Sequence, residues 1–303
     1  MSIPRPQRLL FASILATVAT VASGCGAQIA DDGETVDQGL PASSEGACPG
    51  ETADAAQARA AIARVRARAG LAPLTCDAAA TRAATGHCRY LSLNHEFAHT
   101  QSPGKPGFTG ATMQDRLARE GFRSDPAGEV LATLTGAAAL DDPGGFINSV
   151  YHRPFFLRTE TTVFGYGSTE GCATFDFGRP KGAVAAKART VWPPDGSTGF
   201  PRAFRADRES PSPIPGAKEV GAPVSLITTE PLASVTASLQ GPGGPVAAVV
   251  LTAANDPAKL VRAGEVHLIP RAPLAARTRY EVVFRANVGN QPLTVRASFV
   301  TGD

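Results

Sequence analysis

The stretch ARVRARAGLAPLTCDAAATRAATGHCRYLSLNHEFAHTQSPGKPGF, Ala63 to Phe108, decides the fold class. Its first residues close a segment from Ala53 to Ala69 in which Ala58, Ile62, Val65 and Ala69 recur at steps of four, three and four, with Arg59, Arg64, Arg66 and Arg68 on other faces. That is the period of an amphipathic helix, stopped by Gly70. Asp77 is a good N-cap and opens a second helix carrying Ala80, Ala84, His87, Cys88 and Leu91 on one stripe. This helix should end between Asn94 and His99, because QSPGKPG breaks regular structure. Working outward, a third helix is expected over 111–120, presenting Met113 and Leu117 and ending at Gly121. A fourth should open at Asp142, its cap, with Pro143 at the first helical position, and run through Phe146, Val150 and Tyr151. Two strands then follow around a turn at Gly171, TTVFGYG from Thr161 and CATFDFG from Cys172. Helices first and strands after them make an α+β domain.

The character changes near Arg179. From Thr190 onward the chain has Pro and Gly punctuation and β-rich runs: PVSLIT, SVTASLQ, VAAVVLT, EVHLI, RYEVVFRANV and LTVRASFV. Short strands at regular spacing with turns between them point to an antiparallel β-sandwich. Tyr280, Val282 and Phe284 alternate as one buried face should, and so do Leu293 and Val295. PPDGSTGFPRAF, from Pro193 to Phe204, reads as an opening strand and its turn. The expected division is therefore an α+β domain over 53–180 and an all-β sandwich over 188–303.

The N-terminus, MSIPRPQRLLFASILATVATVASGC, has two arginines, an apolar run from Leu9 to Val21 and small residues before Cys25. This is the layout of an export signal, and the run is shorter than the roughly 20 residues a membrane-spanning helix needs. Ala22, Ser23 and Gly24 before Cys25 resemble a bacterial lipobox, with Ala22 where leucine is usual. The expectation is a signal peptide over 1–24 and a lipid on Cys25 that tethers an exported chain to a membrane. Gly26, rather than aspartate, follows Cys25, which by the same resemblance points to the outer membrane. Residues 25–52 are rich in Gly, Ala, Ser, Asp and Glu and read as a flexible tether. A net charge of +2, with the basic residues scattered, leaves no footprint for nucleic acid.

Setting Cys25 aside for lipid leaves Cys48, Cys76, Cys88 and Cys172, an even set that should form two disulfides outside the cytoplasm. Cys76 and Cys88 flank most of a helix and would lie about 18 Å apart, beyond the reach of a bridge. If the first two helices run antiparallel side by side, Cys48 pairs with Cys88 and Cys76 with Cys172.

Two readings compete for the segment after the second helix. His95-Glu96-Phe97-Ala98-His99 spells H-E-x-x-H, which on a helix puts two imidazoles on one face for zinc and leaves the glutamate as general base of a metallopeptidase. Glu129 could supply a third ligand. Yet Thr100-Gln101-Ser102-Pro103-Gly104 follows at once, where such a motif needs the helix to continue.

The second reading spans residues 53–178. NHEFAH (Asn94–His99) is similar to "N-x-x-F-x-H", and DRLAREGF (Asp115–Phe122) contains an "R-x-x-x-x-G-aromatic" pattern. Gly128-Glu129-Val130-Leu131-Ala132 is similar to "G-E-N-aliphatic-A". Phe146-Ile147-Asn148-Ser149-Val150-Tyr151-His152-Arg153 is similar to "W-aliphatic-N-S-P-G-H-R", and Phe164-Gly165-Tyr166-Gly167 to a "G-aliphatic-G" strand. In this order the motifs resemble the bacterial, SCP-like branch of the CAP superfamily of cysteine-rich secretory, antigen 5 and pathogenesis-related proteins. Val130, Phe146 and Val150-Tyr151 depart from the family pattern, and the eukaryotic "G-H-aromatic-T-Q" signature is absent.

The resemblance implies an α-β-α sandwich with a cleft lined by His99, Glu129 and His152. Such a set could hold a divalent metal such as zinc, orient a small-molecule, lipid or cell-wall ligand, or work as a histidine–carboxylate pair. It could equally be a buried polar network. Binding is the expected role, and no catalytic residue is assigned. His87, on the apolar stripe, reads as a satisfied core histidine, Ser149 as part of its own helix's hydrogen bonding, and Arg153 as shaping the cleft or bridging on the surface. His267 lies in a strand with no partner nearby in sequence. The second domain resembles bacterial Ig-like modules through Ala272–Val282 and the ending Ser298-Phe299-Val300-Thr301, which implies a spacer or adhesive unit.

Overall fold

The computed structural model describes residues 47–141, 145–183 and 188–303, the side chain of Pro126 excepted. The signal peptide, Cys25, most of the tether and the Asp142-Pro143 helix start lie outside the described residues.

Helix α1 (Ala53–Arg68) starts where the Thr52 hydroxyl accepts from the Ala55 amide at 3.1 Å. Helix α2 (Ala78–Asn94) starts at Asp77, whose carboxylate accepts from the Ala80 amide at 2.8 Å. It stops at His95, which takes a left-handed conformation with φ 53°. Helix α3 (Met113–Arg119) is opened by a capping box between Thr112 and Asp115. The first sheet has the order β1 (Thr75–Cys76), β3 (Val163–Thr169), β4 (Cys172–Pro180), β2 (Ser124–Ala132). The β1–β3 pair is parallel and the other pairs are antiparallel.

Period-two alternation divides this sheet into two unlike faces. Val130, Phe164, Tyr166, Phe175 and Phe177 pack with α1, α4 (Ala138–Asp141) and α5 (Arg153–Leu157). The opposite face takes α2 and α3, and there Gly165 and Gly167 let α2 approach closely. A Cβ at either glycine would come within 2.2 Å of α2 backbone atoms, so no other residue fits.

This placement corrects the expected disulfides. The bridges are Cys48–Cys76 and Cys88–Cys172, with Cα separations of 5.4 and 5.7 Å. Helices α1 and α2 lie on opposite faces of the sheet, so the start of one does not sit beside the end of the other. Cys88 instead faces the sheet above Cys172, the first residue of β4.

The fourth helix is also different. Phe146–Asn148 is a single 3-10 turn, and the α-helical turn comes later, at α5. The amides of Val150 and Tyr151 do not propagate a helix because they donate to the Glu209 carboxylate at 2.9 and 2.7 Å. A tertiary acceptor has outcompeted local helix bonding.

Beyond residue 188 the regular elements are strands, apart from one 3-10 turn at Ala206–Arg208. A five-stranded sheet has the order β11 (Gly244–Val246), β10 (Leu232–Gly241), β14 (Arg279–Val288), β15 (Gln291–Thr301), β6 (Ser197–Phe200). A four-stranded sheet has the order β12 (Ala248–Thr252), β13 (Glu265–Pro270), β9 (Val224–Thr228), β5 (Arg189–Trp192). Strands β7 (Ala203–Phe204) and β8 (Val220–Gly221) form a separate pair. Val282, Phe284 and Phe299 from one large sheet and Leu226, Val266 and Leu268 from the other share one core, as the alternating pattern requires. All ladders here are antiparallel except β15–β6.

The described residues belong to one compact unit, and the outer face of the four-stranded sheet is where the two parts meet. Arg153, which is 0% exposed, donates to the carbonyls of Ile147 and Pro223 at 2.6 and 2.8 Å and to the Ser225 hydroxyl at 2.7 Å. Of the two roles expected for Arg153, bridging on the surface is therefore excluded. Arg158 forms a buried ion pair with Glu265 at 2.8 Å. Tyr151 donates to Asp256 at 2.6 Å, and the Arg68 guanidinium stacks 5.3 Å from the centre of the Trp192 ring. His267 is buried and has a partner remote in sequence, the Ser225 hydroxyl, 2.8 Å from its Nδ1.

Candidate ligand-binding cleft

The structure sorts the candidate residues into three places. On the α2 face of the first sheet, Glu129 in β2 receives His99 Nδ1 at 2.9 Å on one oxygen and Arg116 from α3 on the other. Arg116 also donates to the His99 carbonyl. His87 Nε2 is 3.7 Å from Glu129 and 3.0 Å from the Ala98 carbonyl, while the Gln101 amide donates to His87 Nδ1. These contacts fix His87 as the Nε2–H tautomer. Burial pushes its pKa down to about 4, against the pull of Glu129, so it is a neutral, satisfied histidine. Burial works to raise the Glu129 pKa, but the hydrogen bond from His99 and the charge of Arg116 win and hold it below the usual carboxylate range.

Directly across the ladder from Glu129 lies Asp176. It is fully buried, neither carboxyl oxygen receives an N–H or O–H donor among the described residues, and the carboxyl lies within hydrogen-bonding range of Glu129. Burial and the Glu129 carboxylate push its pKa well above the usual range, and Arg116 only partly offsets them. Asp176 is therefore held protonated beside an ionised Glu129.

His152 stands apart. Its Nδ1 bonds to Glu209 at 2.9 Å, and its ring stacks on Phe146 with centroids 5.1 Å apart. The contacts join His99 to Glu129 but bring neither to His152, and each of the two histidines has its own glutamate. Glu209 comes from the strand-rich part of the chain and is 2% exposed at the side chain. It accepts three N–H groups: the amides of Val150 and Tyr151 and the His152 ring.

The third place is the H-E-x-x-H segment. Helix α2 ends before it, at Asn94. Glu96 accepts from the Tyr90 hydroxyl at 3.1 Å and from Lys105, and His95 is exposed. Without a helix to carry both imidazoles, the spacing has no zinc-binding geometry. Among the described residues, no group of three or more His, Cys, Asp or Glu side chains is arranged to hold a metal ion. Arg116 also neutralises Glu129, the one carboxylate among the three expected cleft residues. The donors do not fit a metal.

A cavity of about 280 Å³ opens beside His152. Phe97, Leu131, Leu134, Ala139, Phe146 and Phe204 give it apolar walls, and Asn148, Ser149, His152, Arg205, Arg208 and Glu209 its polar ones. Residues 59–178 match the family described as CAP, the cysteine-rich secretory protein family. This segment is a CAP domain. The chain is also similar to an extracellular protein containing a SCP domain from Bacillus anthracis str. Ames, at 32% identity over 39% of this chain and 37% of that one, with a TM-score of 0.35. It is similar to an outer surface protein from Borrelia burgdorferi at 21% identity, over 42% of this chain and 93% of that one, with a TM-score of 0.35. The chain thus spans little more than a third of the Bacillus anthracis protein. No curated protein matches it.

Sequence reasoning found His99, Glu129 and His152 in the CAP domain and missed Arg116, Asp176 and Glu209. Asp176 carried a signal, as the one acid inside the apolar strand CATFDFG. Arg116 lay within the quoted DRLAREGF motif without a role. Glu209 carried no signal, because its partners lie about sixty residues earlier in the chain.

A pH effect follows from the buried groups. His87 and His267, both pushed down to about 4 chiefly by burial, stay neutral in the fold while the unfolded chain protonates them below about pH 6.5. They therefore lower stability as pH falls. Asp176 works in the opposite sense, since the fold holds its proton and the unfolded chain releases it above about pH 3.9. Each of the two histidines costs the fold about 1.5 kcal/mol between about pH 6.5 and about pH 5. Urea unfolding over that range should show a change about 1.5 kcal/mol less unfavourable in His267→Gln than in the parent; an equal change in both would contradict the assignment.

Proposed function

We propose that this chain is a cell-envelope protein whose CAP domain binds a small organic molecule or lipid in the cleft beside His152 without turning it over. One observation carries this reading: the carboxylates and nucleophiles near the cleft are already engaged, and His152 Nε2 has no hydroxyl or thiol left to activate. Glu129 is held by His99 and Arg116, and Glu209 by three N–H donors. Ser149 donates to the Phe146 carbonyl at 2.8 Å, and the four cysteines are in disulfides. What remains open is an apolar-walled hollow with a few polar groups, the usual character of a small-molecule site.

The N-terminal sequence supports export and a lipid on Cys25, with the outer membrane as the destination. No helix among the described residues is long and apolar enough to cross a membrane. The strands beyond residue 188 are read as an Ig-like sandwich, with the division from the CAP domain falling between 180 and 188. Its broad contact with the CAP domain supports a role as part of the binding unit more than as a free spacer.

The test uses the full chain with Cys25→Ser, which cannot be lipidated, and the neutral fluorophore N-phenyl-1-naphthylamine. Saturable binding is expected, weakened about tenfold by Phe97→Ala, since Phe97 is an exposed wall residue whose loss removes about 1.5–3 kcal/mol of apolar contact at most. Binding that does not saturate would refute the cleft reading.

A further inference from the structure

We propose that the cleft takes an organic anion, and that Arg208, supplied by the chain beyond the CAP domain, selects its charge. This deepens the cleft reading and rests on it. The apolar side of the hollow includes Phe97 and Leu134, which are 56% and 42% exposed, far more than large apolar side chains usually are. They offer a surface for the body of a ligand rather than a packed core.

The polar side can be resolved group by group. Glu209 is the one carboxylate in the wall, and both its oxygens are already occupied by N–H donors. Arg205 is held by a bidentate pair with Asp207 at 2.9 and 2.8 Å. The Arg208 side chain is exposed and makes no hydrogen bond or ion pair with any described residue, although Asp207 lies within reach of its field. His152, clamped by Glu209 and Phe146, keeps Nε2 without a protein partner among the described residues. The wall therefore offers one uncommitted cation and one uncommitted ring nitrogen beside a saturated carboxylate.

A guanidinium in that position favours a planar or tetrahedral oxyanion, which it can meet with two parallel N–H bonds. The chemical class is an apolar body bearing one acidic group: a carboxylate, sulfonate or phosphate monoester. Arg208 lies in the turn over residues 206–208 and Glu209 directly follows it, so one short segment both steadies His152 and presents the charge.

The test compares two fluorophores with the same rings, 8-anilinonaphthalene-1-sulfonate and the neutral N-phenyl-1-naphthylamine, on the full chain with Cys25→Ser. The sulfonate should bind about tenfold more tightly, the size of one charge-assisted hydrogen bond. Arg208→Ala should remove that preference and leave the amine within about twofold, Arg208→Lys should restore part of it, and Arg285→Ala, at an exposed position of β14, should change neither. Saturable binding of both probes with no preference, or a preference indifferent to Arg208, overturns the charge assignment and leaves the cleft reading standing. Failure of both probes to saturate overturns the cleft reading itself.

Discussion

Replacing Cys88 and Cys172 together by alanine should cost about 4–5 kcal/mol of folding free energy, against about 3–4 kcal/mol for the Cys48 and Cys76 pair. The difference comes from the length of chain each bridge closes, since the partners are 84 residues apart in the first case and 28 in the second. The longer bridge also ties α2 to β4 on the face that carries Glu129, Asp176 and His87. Losing both would remove about 8 kcal/mol, comparable with the whole stability of many domains. A reduced chain should therefore be unfolded or nearly so at body temperature, which fits a protein made for an oxidising compartment. Urea unfolding of the two paired variants is the check; losses under about 1 kcal/mol for either pair would contradict the argument.

Arg153→Leu should cost about 3–5 kcal/mol. The guanidinium sits wholly inside the junction, where burial pushes its pKa down to about 9 against the field of Glu209, so it is charged at neutral pH. Removing it strands the Ile147 and Pro223 carbonyls and the Ser225 hydroxyl in a space water does not reach. The effect should reach both parts of the chain. Trp192, the one tryptophan, lies in β5 and stacks with Arg68 of α1, so its fluorescence reports the strand-rich part and its contact with the CAP domain. Its transition and the helical circular dichroism should move together to lower urea. A shift confined to one signal would show that the junction does not couple them.

The elements that could be read from sequence were those whose determinants are local. The Asp77 cap, the Ala80-Ala84-His87-Leu91 stripe and the Gly165-Tyr166-Gly167 strand each carry their own pattern, and they stand where that pattern puts them. Strand β2 was harder to read, because the Asp-Pro-Ala-Gly at its start is turn composition and only pairing with β4 extends it. The fourth helix went wrong because the amides it needed are taken by Glu209. The disulfide pairing depended on which face of the sheet each helix covers, and helix periodicity does not record that. At the cleft, the motif order located the two histidines and Glu129, whereas the partners that decide their chemistry are nonlocal. Arg116 turns Glu129 from an open ligand into half of an ion pair, and Glu209 draws His152 to the junction.

The central claim is that a ligand seats against His152 in a hollow walled by both parts of the chain. The most direct measurement is the imidazole carbon–proton NMR spectrum of the five histidines, assigned by single His→Gln variants and recorded during titration with 8-anilinonaphthalene-1-sulfonate. The account predicts that the His152 resonance shifts saturably while those of His87 and His267, buried and hydrogen-bonded elsewhere, stay in place. A titration that leaves His152 unmoved, or that moves His99 or His95 instead, would contradict it.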